Sequence, residues 1–277
     1  MSIKKILSLL LIVVFALTLA GCGNQQKKAT ETSGNTPEKK TITVGTSPTF
    51  KDIFAVVKEE FDKDGNTLNV KIFDDLVIPN TSLQEGSCDV NFYQHEPYLN
   101  QFNKNKGTTL VKYGDGVIKY FMGIYSKKIK NINELKDGAT VSIPNDPSNR
   151  VRALKVLQTN GLIKLKEGVD NPTKLDIVEN KKKLNIVEMD VLKLVSSLDD
   201  VDCSTINSII AVQGNVDPKS AIGLEDNKES DKYAIIIAVK KDQNNEKIAA
   251  QLEKALKSEK VKVFLEEKYK GAIVPLF

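Results

Sequence analysis

Asn145-Asp146-Pro147-Ser148-Asn149-Arg150-Val151-Arg152 leads from an extended stretch into a helix and contains both arginines of the chain; every other basic side chain apart from the one histidine is lysine. A guanidinium presents a planar fork of donors that holds a carboxylate bidentately, whereas an ammonium is a strongly hydrated point charge on a flexible stem. Two arginines confined to one place therefore point to a ligand. Asp146 suits a helix N-cap and Pro147 the first helical position, while Val151, Leu154, Leu157 and the terminating Gly161 continue a helix. Positive side chains are unfavourable near the positive end of a helix dipole, so propensity does not account for them there. An anion shared by the helix start and a guanidinium does. The competing reading is a surface pair touching local carboxylates. Residues two apart on a helix point to different sides, so at most one of Arg150 and Arg152 faces a given ligand.

Outward from this stretch, strand patterns at 41–44, 68–73, 117–125, 140–143, 184–187, 205–210 and 233–239 alternate with helical ones. Ile53, Phe54, Val57 and Phe61 mark one helix, and Ile248, Leu252, Ala255 and Leu256 another. Such alternation argues an α/β fold with mostly parallel sheets, and residues 41–277 suffice for two modest lobes or one large domain. The second informative stretch, Asp89 to Leu99, holds the only histidine, His95, beside Phe92, Tyr93 and Tyr98, in a chain without tryptophan. If 88–93 is a strand, Tyr93 and His95 lie near its end, where open α/β sheets bind ligands. Aromatic faces there suit an apolar or sulfur-bearing side chain. An aromatic core cluster around a hydrogen-bonded histidine is the alternative.

At the amino end, Lys4 and Lys5 precede an apolar run over 6–20 and then Gly21-Cys22, the pattern of a secretory signal peptide over 1–21. Leu19-Ala20-Gly21-Cys22 resembles the bacterial lipobox, which implies a lipidated Cys22 and a chain anchored at the cell membrane on its extracytoplasmic face. Two or three acyl chains hold a protein there stably. Residues 22–40 are polar and read as a flexible tether reaching on the order of 25 Å. Loss of 1–21 removes two lysines and lowers the formal charge from +4 to about +2, too weak to argue for a nucleic-acid partner.

Cys88 and Cys203 remain, and read as buried thiols in two separate sheets, although an exported protein permits a disulfide. A hydrolase using Cys88 with His95 is conceivable, since a catalytic cysteine needs a nearby base. No Cys/His cluster has zinc spacing and no glycine-rich phosphate loop precedes a helix, so no metal or cofactor is expected.

Phe73-Asp74-Asp75, Val77-Ile78-Pro79-Asn80, Tyr93-Gln94-His95 with Pro97-Tyr98-Leu99, Tyr125-Ser126-Lys127-Lys128-Ile129, the Asn145–Asn149 motif, Gly161-Leu162-Ile163-Lys164-Leu165 and Val178-Glu179-Asn180 occur in this order behind the lipobox. Together they resemble the methionine-binding lipoproteins of methionine ABC importers, the NlpA family, across essentially the whole mature domain. The resemblance implies a two-lobed type II periplasmic-binding-protein-like clamshell with a hinge, lobe one being 41–125 plus 232–277 and lobe two 126–231. It implies a solute-binding protein, not an enzyme, that delivers L-methionine or a close amino-acid relative to permease and ATPase subunits. By the same resemblance Arg152 holds the ligand carboxylate, Asn149 and Asn207 its polar groups, and Tyr93, His95, Tyr98 and Tyr120 its side chain.

The chain also departs from the family pattern. Leu76 stands at a usual pocket tyrosine, Phe121 at a proline, and Val195-Ser196 at Pro-Arg. Ile209-Ile210 follows Asn207 and Ser208 where the family often reads Asn-Tyr, and Ile235 stands at an asparagine that anchors the ligand's amino acid group. A buried polar group left unpaired costs about 1–3 kcal/mol. These changes keep two alternatives open: a different ligand, such as a methionine-containing dipeptide or a larger apolar amino acid, or a surface interaction protein that no longer binds a ligand.

Overall fold

In the computed structural model, which describes residues 41–241 and 243–277, Ile42 and Val44 of β1 (Thr41–Thr46) are fully buried in the first of two large sheets. The signal peptide, Cys22 and the tether lie outside the described residues. Helix α1 (Lys51–Asp62) buries Ile53, Phe54, Val57 and Phe61, the stripe expected from a 3.6-residue period. Next come β2 (Thr67–Ile72) and α2 (Ile78–Glu85), which ends at Gly86 with φ +82°. β3 (Val90–His95) is buried along its whole length and runs directly into α3 (Glu96–Lys106). β4 (Val111–Lys119) closes this part of the chain, and β5 (Met122–Tyr125) opens the next.

The middle of the chain supplies β6 (Thr140–Pro144), α4 (Pro147–Thr159), the short hairpin of β7 (Lys164–Leu165) and β8 (Ile177–Glu179), β9 (Asn185–Met189) and β10 (Cys203–Asn207). After α5 (Ser208–Gln213), β11 (Gly223–Leu224) and α6 (Asn227–Ser230) the chain returns through β12 (Ile235–Val239), α7 (Gln243–Leu256), α8 (Glu259–Tyr269) and β13 (Val274–Pro275). One six-stranded sheet has the order β13-β4-β12-β3-β1-β2, and a five-stranded sheet the order β11-β5-β10-β6-β9. This is the two-lobed α/β architecture of periplasmic-binding-protein-like chains.

Both sheets are mixed rather than mostly parallel. β1 is parallel to β2 and β3, and β6 to β9 and β10, but β12 runs antiparallel to β3 and β4, and β5 antiparallel to β10 and β11. The cause is the route of the chain: it leaves the first sheet after β4 and re-enters between β3 and β4 from the other end. The run expected as one strand over 117–125 is two strands in different sheets, broken at Tyr120-Phe121, so 122–125 belongs with the second sheet and not with the first segment. The run 205–210 likewise divides, because the strand stops at Asn207 and Ser208 starts α5. Short apolar runs do not separate strand from helix by period alone.

β12 carries Ile235-Ile236-Ile237-Ala238-Val239, apolar without alternation, because both of its faces are covered. Ile235, Ile237 and Val239 join the main core with α1, α7 and α8, whereas Ile236 and Ala238 pack with Leu83, Leu99 and Phe102 on the other face. A separate core joins the second sheet to α4 through Ile124, Val141, Ile143, Leu154 and Leu157. Fully burying one such side chain contributes roughly 1.5–3 kcal/mol. Cys88 and Cys203 are buried and unpaired, as expected.

Replacing Gly86 by alanine should lower stability by about 1–2 kcal/mol, the cost of left-handed backbone for a residue with a Cβ. Nothing lies within 4 Å of that Cβ, so the loss is conformational alone. Urea unfolding should show a lower midpoint with an unchanged slope; an unchanged midpoint would remove the claim.

Candidate ligand-binding site

The first turn of α4 is held by Asp146, whose carboxylate accepts from the Asn149 backbone N–H at 3.0 Å and the Ser148 hydroxyl at 2.9 Å. Asn149 Nδ2 donates to both carboxylate oxygens, at 3.2 and 3.0 Å. This uses the amide's donors and leaves Asn149 Oδ1 as its acceptor. Burial, opposed by these hydrogen bonds and by Arg150, raises the Asp146 carboxyl above its ordinary range.

His95 ends β3 and caps α3. Its Nδ1 accepts from the Tyr98 backbone N–H at 3.2 Å, so the neutral ring carries its proton on Nε2, which donates to Asn149 Oδ1 at 3.4 Å. That contact joins the end of a strand in the first sheet to the helix over the second. Burial first, and then the positive field of Arg152, lower the imidazole pKa to about 3. His95 is therefore uncharged at neutral pH. The phenols of Tyr93 and Tyr98 both donate to the Leu76 carbonyl, at 2.7 and 2.9 Å, and their rings meet edge to face at 6.1 Å. Burial raises both phenols, and raises Tyr120 to about 12.

These side chains line a cavity that is partly open to solvent. Tyr93, His95, Tyr98, Tyr120, Asn149 and Asn207, six of the seven residues expected to bind ligand, line it together. Phe50, Leu76, Val191, Leu192 and Ile210 give it apolar walls, so Leu76 and Ile210, two departures from the family pattern, both face the cavity. Ile235 does not; it lies in the main core, in register with His95 on one side and Ile118 on the other.

Arg152, the seventh, is absent from the lining. Its guanidinium closes bidentately on Glu225: Nε donates to Oε2 at 2.8 Å and Nη2 to Oε1 at 2.5 Å, with both side chains at most 3% exposed. Nη2 also donates to the Tyr120 carbonyl at 2.8 Å, and Glu225 Oε1 accepts from the Met122 backbone N–H at 2.7 Å. The guanidinium carbon lies 4.2 Å from the centre of the Tyr233 ring, whose other neighbour is the His95 ring at 5.0 Å. Among the described residues three buried side-chain polar atoms have no partner: Arg150 Nε, Arg152 Nη1 and Asn207 Oδ1. Arg150 instead reaches Glu188 at 3.4 Å, which matches the expectation that the two arginines diverge.

Sequence reasoning missed Glu225. The available signal was chemical: an arginine buried in a helix needs a carboxylate. Nothing local marks which of the acidic residues supplies it. The Cys88–His95 pairing is corrected, because both ring nitrogens of His95 are engaged elsewhere and burial raises the Cys88 thiol. Seven residues of near-extended chain also separate them by on the order of 20 Å. Among the described residues no group of three His, Cys, Asp or Glu side chains is placed to hold a metal ion.

Comparison with known proteins gives one consistent result. The profile of the family described as NlpA lipoprotein matches residues 42–277. The D-methionine-binding lipoprotein MetQ of Escherichia coli (strain K12) is 39% identical over 239 residues, covering 84% of this chain and 83% of that protein. Outer membrane lipoprotein 3 of Mannheimia haemolytica is 36% identical over 265 residues, 95% of each chain. Among solved structures, a nutrient binding protein from Burkholderia cenocepacia bound to methionine superposes with TM-score 0.80 at 40% identity, over 85% of this chain and all of the other.

Removing one member of a buried ion pair leaves an uncompensated charge or a cavity, so Arg152→Ala should cost about 3–5 kcal/mol of stability. Denaturant unfolding checks this, and a loss below about 1 kcal/mol would mean that the pair is solvated. For His95, a folded-state pKa depressed to about 3 makes the unfolded chain bind the extra proton first. Stability is therefore fully present above pH 6.5 and falls as pH drops toward 3, by roughly 1.4 kcal/mol per unit in the steep part. Since His95 is the only histidine, this contribution between pH 6.5 and 5 should vanish in His95→Gln. An equal slope in the variant would reassign the effect.

Proposed function

Because the chain belongs to the NlpA lipoprotein family, we propose that it is a lipid-anchored solute-binding protein on the extracytoplasmic face of the cell membrane, which closes two lobes on L-methionine or a close amino-acid relative and delivers it to the permease and ATPase subunits of an ABC importer. The lobes follow the sheets: β1–β4 with β12 and β13 form one, and β5–β11 the other, with the chain crossing at Tyr120-Phe121 and again over 225–234.

The carrying observation is Asn207 Oδ1, a partnerless buried acceptor on a residue of the lining, with the partnerless donor Arg152 Nη1 next to the lining, the guanidinium carbon 5.7 Å from the centre of the Tyr120 ring. A zwitterionic amino acid supplies the complement of each: its ammonium donates to Asn207 Oδ1, and its carboxylate accepts from Arg152 Nη1. The faces of Tyr93, Tyr98 and Tyr120, with Leu76 and Ile210, take an apolar or thioether side chain. Binding of this kind stabilises the closed arrangement, which is what a permease distinguishes from the open one.

The test is calorimetric titration of the full lipidated chain in detergent, after unfolding and refolding, with L-methionine, D-methionine and Gly-Met. L-Methionine should bind at micromolar or lower concentration, and Asn207→Ala should weaken it about tenfold with little loss of stability, since Oδ1 has no partner to lose. A folded chain that gives no heat with any of the three does not have this function.

A further inference from the structure

The cation beside the cavity is not an open positive site. Glu225 occupies the Nε and Nη2 edge of Arg152, one of the two edges by which a guanidinium grips a carboxylate bidentately, and the Tyr120 carbonyl takes a further bond from Nη2, which leaves Nη1 alone. Both members of the pair are buried, so their charges offset each other where screening by water is weak. Asp146 remains close by, on the helix turn that presents Asn149, and its field raises the phenols of Tyr93, Tyr98 and Tyr120. Asp75 acts in the same direction on the first two. Glu225 itself opposes Arg152 at Tyr120 and at Tyr233.

We propose that Glu225 is a positioning residue that sets ligand specificity: by closing the fork of Arg152 it makes the polar end of the site select the ligand's ammonium more strongly than its carboxylate. The class admitted is then zwitterionic amino acids and related cationic amines, and carboxylates lacking an amine are turned away. Glu225 reaches the ligand only through Arg152. Its second contact, from the Met122 N–H, fixes the carboxylate so that the fork stays closed. This inference rests on the amino-acid ligand proposed above and reverses the weight that two arginines in one motif suggest.

Two truncated ligands test it on the full lipidated chain in detergent. 3-(Methylthio)propylamine is methionine without its carboxylate, and 4-(methylthio)butanoate is methionine without its amine; each only removes atoms, so neither introduces a clash. Competition against L-methionine should show the amine binding at least about tenfold more tightly than the acid. In Glu225→Gln the ratio should move toward the acid by about tenfold or more, as the Arg152 charge is no longer offset. A purely structural role for Glu225 would weaken all three ligands together and leave the ratio unchanged. The inference is overturned if the acid binds the wild-type chain as well as the amine does, or if the ratio stays constant in Glu225→Gln. Should that variant fail to fold, the wild-type ratio decides. Absence of methionine binding by folded wild-type protein overturns the ligand reading and this inference with it, whereas methionine binding with an inverted ratio overturns this inference alone.

Discussion

The buried pair of Arg152 and Glu225 is the constraint around which the two sheets are joined. Arg152 stands on α4, over the second sheet, yet it donates to the carbonyl of Tyr120, where the chain has just left the first sheet. Glu225 begins the segment that leads back, and accepts from Met122, the first residue of β5. Tyr233, near the end of that return segment, lies against the guanidinium and meets the His95 ring edge to face. One ion pair thus touches both crossings and the wall of the cavity. A buried pair of this kind yields little net stability, because desolvation consumes most of its Coulombic gain. What it supplies here is geometry: its hydrogen bonds tie α4 to Tyr120 and Met122 at the first crossing and to Glu225 at the start of the second.

The cavity divides by chemistry along the same lines. Tyr93 and Tyr98 spend their hydroxyls on the Leu76 carbonyl, so what they show the interior is ring. His95, kept neutral by burial, has both nitrogens engaged. The lining keeps a partnerless acceptor, Asn207 Oδ1, and the partnerless donor Arg152 Nη1 belongs to the guanidinium beside Tyr120. An apolar half and a polar half follow from which hydrogen bonds the protein makes internally, and only a molecule with the same division satisfies both.

Much of this was legible in the sequence, for identifiable reasons. α4 was readable because Asp146 and Pro147 have local roles at a helix start, and α1 because its apolar residues keep the helical period. Tyr93 and His95 were readable because a strand end is a place where ligands bind, and the ordered motifs carried the two-lobed fold. The break at Tyr120-Phe121 was not readable: both flanking segments are apolar and extended, and only their different partners separate them. Nor was Glu225, since its partner lies 73 residues away and no spacing rule spans that distance. Ile235 shows the converse. Judged by position it removes a ligand anchor, but in the structure it is a core residue of a strand covered on both faces.

The two sheets are joined by packing as well as by the ion pair. The main core does not stop at the first sheet: Leu194, Leu198, Ile209 and Ala211, which come from the middle of the chain, belong to the same buried group as Phe50 and Phe92. Ser208 reinforces this seam by donating to the Ala272 carbonyl at 2.6 Å. Parting these apolar faces would expose surface at about 25 cal/mol per Å². On the other side of the cavity, the hydrogen bond between His95 and Asn149 at 3.4 Å is accompanied by packing of α3 against α4. The two sheets are therefore joined on both flanks of the cavity, and Asn207 from the second sheet faces the aromatic wall carried by the first.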